Sequence, residues 1–239
     1  MPPAPKLLEV IATTLEDALE AERGGAGRIE LVRALVMGGF TPDPLLPGLV
    51  SKRVKIPLRV MIRESDSSTA HGAEEFERLE AAIDRLKTAP IQGLVFGFVR
   101  RGEIEVEKVE RLLLRMPADW RVTFHRAFEA VTHPFASLEV LKRYPQIDRI
   151  LTNGLESEDA KERRLRLEEL QNAAGDRITI IAAGGPALGK LRVLAESPVI
   201  RELHVGRAAR LPASHLGPVR RERVAAVKRI WVPIEGSSS

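Results

Sequence analysis

The chain contains no cysteine. Disulfides, thiolate metal centres and cysteine nucleophiles are therefore excluded. Aromatic residues are scarce as well, at 4% of 239 residues. A nucleic-acid surface needs a continuous basic stripe with stacking aromatics. The excess of basic over acidic residues is a formal +4, and the one denser run, Arg220, Arg221 and Arg223, reads as a solvated helix face. No nucleic-acid partner is expected, and the positive charge favours anionic partners only weakly. No apolar run approaches the roughly 18 residues of a membrane span. The first residues, MPPAPKLLEV, show no apolar leader core with a small-residue cleavage site. The chain is read as cytoplasmic, without a membrane partner. Hydrophobic residues at 44% and charged residues at 29% suit a soluble globular protein.

What is present is alternation. Short β-branched runs are expected as strands at 7–11, 28–32, 58–63, 93–98, 121–127, 149–153, 179–183 and 202–205. Amphipathic stretches between them are expected as helices at 15–22, 45–52, 73–87, 106–114, 135–143, 159–173, 188–195 and 218–229. Alternating strands and helices imply a parallel sheet with right-handed crossovers. Eight such units in this length fit one closed (β/α)8 TIM barrel, about 7–230, with loose tails at 1–5 and 235–239. Gly24 and Gly25 suit a left-handed helix stop. A doubly wound open sheet is the alternative, but no G-x-G-x-x-G follows the first strand.

Side chains alternate faces along a strand, and the outer face of a barrel strand must be apolar to meet the helices. Val122 and Phe124 therefore point outward, and Thr123 and His125 inward. The same parity turns Glu9, Arg28, Glu30, Arg59, Met61, Arg63, Glu202 and His204 inward. Parity in the fourth and sixth strands stays ambiguous. Arg126 falls on the other parity and opens the loop above its strand. Barrel interiors normally hold branched apolar residues. Charges buried there must be paired.

Three readings of this polar interior stand open. Glu9, Glu30, His125 and His204 are candidates for general acid–base work; as neutral imidazoles, the histidines could also hold a borderline metal such as zinc or copper. Anion binding is a second reading, because barrels often hold phosphate in the loops after strands 7 and 8. Those loops read AAGGPALGK and HVGRAAR. Gly184, Gly185, Gly206 and Arg207 could cradle an anion there, with Arg63 and Arg126 adding charge. The third reading is a scaffold with a self-satisfied polar plug. His71, His133 and His215 are expected to face solvent, and the polar loop 64–72 is placed to cover the barrel mouth.

The stretches LEVIATTLEDALEAERGGAGRIEL, VMGGFTP, VMIR, LVFGFV, GEIEVEKVERLL, VTFHRAFEA, DRILTNG, ITIIAAGG and ELHVGR follow in order from about residue 7 to residue 207. Together they resemble the CutC copper-homeostasis family. The resemblance implies a TIM barrel, a cytoplasmic protein linked to copper handling, and a homo-oligomer. It also implies that Glu9, Glu30, Arg63, His125, Arg126 and His204 share the barrel mouth. One departure stands out. Members commonly read V-E-L-C where this chain reads Ile29-Glu30-Leu31-Val32, and that cysteine is a proposed Cu(I) ligand in some relatives. Cu(I) prefers thiolate and thioether ligands, so Met37, Met61, His125 and His204 are the donors that remain. The partner is accordingly expected to be a copper ion or a small anionic ligand.

Overall fold

The computed structural model describes residues 5–70, 72–154, 159–185 and 187–232. Eight parallel strands close into a barrel. They are β1 (Leu7–Ala12), β2 (Arg28–Leu31), β3 (Leu58–Met61), β4 (Gly93–Phe96), β5 (Arg121–Phe124), β6 (Ile147–Thr152), β7 (Thr179–Ala183) and β8 (Glu202–Val205). Each pairs with its neighbour in sequence, and β8 returns to β1, with Glu9 opposite His204. The helices between them are α1 (Leu15–Arg23), α2 (Leu46–Ser51), α3 (Gly72–Leu86), α4 (Val106–Arg115), α5 (Pro134–Leu141), α6 (Ala160–Ala174), α7 (Leu188–Ala195) and α8 (Arg221–Trp231). None of the described helices is long and apolar enough to cross a membrane.

Local chemistry sets the boundaries. Thr14 caps α1 by accepting the Asp17 N–H at 3.1 Å. The helix stop differs from expectation in one detail. Gly25 supplies the left-handed residue, at φ +90°, whereas Gly24 stays helical at φ −76°. Gly24 is needed for space: a Cβ there would lie 2.5 Å from Val224 on α8. The expected strand over 121–127 ends at Phe124, because His125 caps a 3-10 turn, Arg126–Ala130. The expected strand over 93–98 also ends early. Beyond it Val99–Arg100 and Glu103–Ile104 form an antiparallel ribbon around Arg101 and Gly102, both at positive φ. Val99 donates to the Ser68 carbonyl at 2.8 Å and accepts from the Ser68 hydroxyl at 3.1 Å. The ribbon thus holds the 64–70 loop in place.

The outward residues form one apolar belt under the helices, including Val10, Ile29, Val60, Leu94, Phe124 and Leu203. Strand parity follows, and the ambiguous strands resolve. Leu94, Phe96 and Ile150 join this outer belt, while Val95 packs inside with Met61, and Leu151 packs inside with Ile181. In β6 the alternation is broken. Val122 pairs with Ile147, but Thr123 pairs with Arg149, so Asp148 is an extra residue. Such a bulge lets two successive side chains serve one face. Both Asp148 and Arg149 reach interior partners.

Those partners fill the N-terminal half of the barrel with an ionic chain. Arg28 bonds Glu9 and, at 2.5 Å, Glu202. Glu202 accepts from Arg149 at 2.8 Å, Arg149 bonds Asp148, and Asp148 accepts from Arg59 at 2.7 and 2.8 Å. Arg59 ends the chain on Thr123 at 2.7 Å and Gln92 at 3.0 Å. Three arginines face three carboxylates, so the chain carries no net charge. Removing one member of such a buried set leaves its partners charged and dry, at a cost of about 3–5 kcal/mol. Arg28→Ala is therefore expected to lower stability by about that much. Urea unfolding of the variant measures it, and a loss under about 1 kcal/mol would mean that water replaces the guanidinium.

Candidate functional site

A cavity of about 1150 Å3 opens at the C-terminal ends of the strands. Its lining includes the buried residues Glu30, Met61, His125 and His204. Arg63, half-buried, and Arg126 and Arg207, both exposed, stand at its rim. Gly184, Gly185 and Gly206 also line it. Gly185 takes φ +65°, and a Cβ on Gly184 would come within 2.9 Å of Leu191 and Val205. The loop after β7 therefore lies tight against its own helix. Asp66, Ser67 and Ser68 line the mouth from the 64–70 loop. A smaller cavity of about 450 Å3, between the 41–44 loop and α3, contains none of the interior carboxylates or histidines.

Glu9 is fully buried and lies behind the lining residues, not among them. One oxygen meets His204 Nδ1 at 2.7 Å and the other takes the Arg28 bond. Glu30 behaves oppositely. Its Oε2 has no hydrogen-bond partner and lies 3.8 Å from His204 Nδ1. Burial pushes the Glu30 pKa up to about 7, with the Glu9 charge adding and His204 and Arg28 opposing. Burial acts in the same sense on Glu9, but Arg28 and the His204 hydrogen bond overcome it and hold that carboxyl well below the usual range. Burial disfavours charge on His204; Glu30 and the bond to Glu9 outweigh it, so the His204 pKa is raised. His125 is the contrast: burial, then Arg63, lowers it to about 3. Its Nδ1 accepts the Ala127 N–H at 3.1 Å.

Arg126 makes two bonds to Glu129, at 2.9 and 2.6 Å, and Glu129 also accepts the Asn153 N–H at 2.8 Å. Its charge is thus partly spent within the rim. Arg63 reaches the Gly38 carbonyl at 3.3 Å and leaves its Nε without a partner. Several lining residues are not among the candidates read from the sequence. Asn153, Arg163 and Lys190 come from the β6–α6 loop, α6 and α7. His215 is exposed, as expected, yet it stands at the mouth. His133 is exposed before α5. His71 lies outside the described residues.

Glu9, Glu30 and His204 bring possible ligand atoms within 4.8 Å of one another. The set is knit internally, however, because His204 Nδ1 is committed to Glu9 and Glu9 to Arg28. His125 lies outside this cluster. Met61 packs in an apolar group with Val32, Leu35 and Val95. Among the described residues it is the one sulfur lining the mouth. A Cu(I) ion wants thiolate or several thioether donors, and this donor set does not fit it.

A family model described as the CutC family matches residues 6–209. A mouse protein named copper homeostasis protein cutC homolog is 38% identical over 202 residues, covering 83% of this chain and 72% of its own length. A CutC family protein of Photobacterium profundum is 31% identical over 210 residues, covering 87% of this chain and 84% of its own. The crystal structure of a copper homeostasis protein CutC from Streptococcus agalactiae superposes with a TM-score of 0.76 at 24% identity, covering 84% of this chain and 98% of that one.

The raised Glu30 pKa has a stability consequence. A carboxyl whose folded pKa exceeds its unfolded value stabilises fully below the unfolded pKa, and that contribution is lost as pH rises through the folded value. The stability of the wild type relative to Glu30→Gln is expected to fall between pH 4.5 and about 7 and to stay level above. The total fall is up to about 3 kcal/mol, from 1.36 kcal/mol per pKa unit. Urea unfolding at pH 5 and pH 8 reads it. A difference that does not change between the two pH values would show that Glu30 folds as the charged form.

Proposed function

The chain belongs to the CutC family, and on that premise we propose that its barrel mouth is an acid–base site for a small anionic metabolite. One observation carries this reading. Glu30 lines the cavity, its buried Oε2 has no protein partner, and its pKa is moved to about 7. A group that titrates near neutrality can both take and give a proton there. A purely structural plug would pair that oxygen, as it pairs every other carboxylate of the ionic chain.

The remaining residues divide the work. His204, held by Glu9, is a proton donor beside Glu30. Glu9 touches no ligand and acts as a positioning residue. Arg63 and Arg207 meet the negative charge, with the Gly184, Gly185 and Gly206 backbone beneath and Arg126 in support. Neither Arg207 nor Arg63 has an ion pair among the described residues, and both line the cavity. Copper appears in the names of relatives. For this chain we propose that the link to copper handling is indirect, since the donors at the mouth suit protons and anions better than Cu(I).

Inorganic phosphate is expected to raise the thermal unfolding midpoint, because a ligand that binds only the folded state stabilises it. Arg63→Ala should fold normally and weaken phosphate binding by about tenfold or more, the loss of one charge-assisted hydrogen bond. Calorimetric titration of both proteins measures this. An anaerobic Cu(I) titration runs beside it. Tight stoichiometric copper binding, lost when His125 and His204 are both changed to alanine, together with no response to phosphate, would replace this reading with direct copper binding.

A further inference from the structure

We infer that the ligand of this mouth carries a carbonyl oxygen as well as an anionic group, and that a neutral His125 donates a hydrogen bond to that oxygen through Nε2. The inference rests on the acid–base reading above and adds the substrate class.

The argument begins with a turn. His125 follows the last residue of β5 and caps the 3-10 turn by accepting the Ala127 N–H at Nδ1, 3.1 Å away. An acceptor nitrogen carries no proton. The single proton of a neutral imidazole must then sit on Nε2. A second proton would set N–H against N–H and uncap the turn. Arg63 and Arg126 stand close enough to oppose a cation as well. Phe124 meets the ring edge-on at 6.3 Å between centroids. The backbone thus fixes the tautomer, and burial with the neighbouring arginines disfavours the cation.

Nε2 has no hydrogen-bond partner among the described residues, and the ring lines the cavity. A fixed, uncharged donor is poorly matched to a phosphate or carboxylate, which the rim arginines already serve. It is well matched to a carbonyl oxygen that gains negative charge, since a preorganised donor strengthens as that charge develops. Ile11, Leu35 and Leu151 supply an apolar wall in the same cavity. A short carbon skeleton would lie against it, with its charged end at Arg63 and Arg207 and its carbonyl over His125.

Two measurements test this on the full chain. Long-range 1H–15N spectra of the imidazoles should show His125 neutral, with its proton on Nε2, from pH 5 to pH 8. A proton on Nδ1, or a titration within that range, overturns the inference. The second measurement compares ligand pairs that differ only at the carbonyl: dihydroxyacetone phosphate against glycerol 3-phosphate, and pyruvate against lactate. The carbonyl member of at least one pair should bind about tenfold tighter. His125→Asn should abolish that preference, because asparagine can still cap the turn through Oδ1 while its amide N–H2 stops short of the Nε2 position. Its retained thermal midpoint reports that the turn survives. Anion binding without any carbonyl preference, or a preference that survives His125→Asn, refutes the carbonyl inference and leaves the acid–base reading standing. Failure of these ligands and of inorganic phosphate to bind at all removes both.

Discussion

Arg28 is the residue on which the interior depends. It comes from β2, yet it binds Glu9 of β1 and Glu202 of β8, the two strands whose pairing closes the barrel. Its guanidinium is almost fully buried. Two carboxylates in that position would repel each other and forbid closure in a dry interior. One planar cation between them turns the same seam into an attractive contact. The desolvation cost is large, and the chain meets it by extending the alternation of charge through Arg149, Asp148 and Arg59.

The same contact reaches upward. Glu9 offers one oxygen to Arg28 and the other to His204. Glu30, and Glu9 held ionised from below, keep His204 inclined to carry a proton. Glu30, one strand away, receives no such bond and is driven toward its neutral form by burial. His125 is also kept neutral by burial, with Arg63 adding, while the Ala127 N–H aimed at Nδ1 sets its tautomer. Three titratable groups line one cavity: His204 is inclined to its charged form by the neighbouring carboxylates, whereas burial drives Glu30 and His125 toward neutrality. Environments that push pKa values apart are how one site can hold an acid and a base together.

Much of this was legible in the sequence because a barrel strand has an apolar outside. Val10, Ile29 and Leu203 fixed the parity that turned Glu9, Glu30 and His204 inward. The limits are equally physical. The bulge at Asp148 breaks the two-residue period on which parity depends, so the Asp148–Arg149 pair could not be read. Parity also says nothing of depth, and so it grouped Glu9 with the lining residues although it lies behind them. The ribbon at 99–104 is too short to show a period. Arg210, buried in a loop, ties Asp17 of α1 to the Gly217 and Ile11 carbonyls. Nothing local to Arg210 distinguishes it from a surface arginine. Arg163, Lys190 and His215 reach the mouth from helices and loops whose placement only the folded barrel defines.

The ionic chain at the base of the barrel gives the protein an uneven response to temperature. The hydration of charged groups becomes less favourable on heating, so the cost of keeping Arg28, Glu9, Glu202 and Arg59 dry shrinks, while the gain from apolar burial levels off. At room temperature the belt beneath the helices carries the barrel. As the protein warms, the share borne by Arg28 and its neighbours grows, and the part of the interior that is hardest to justify at room temperature becomes the part that resists heat.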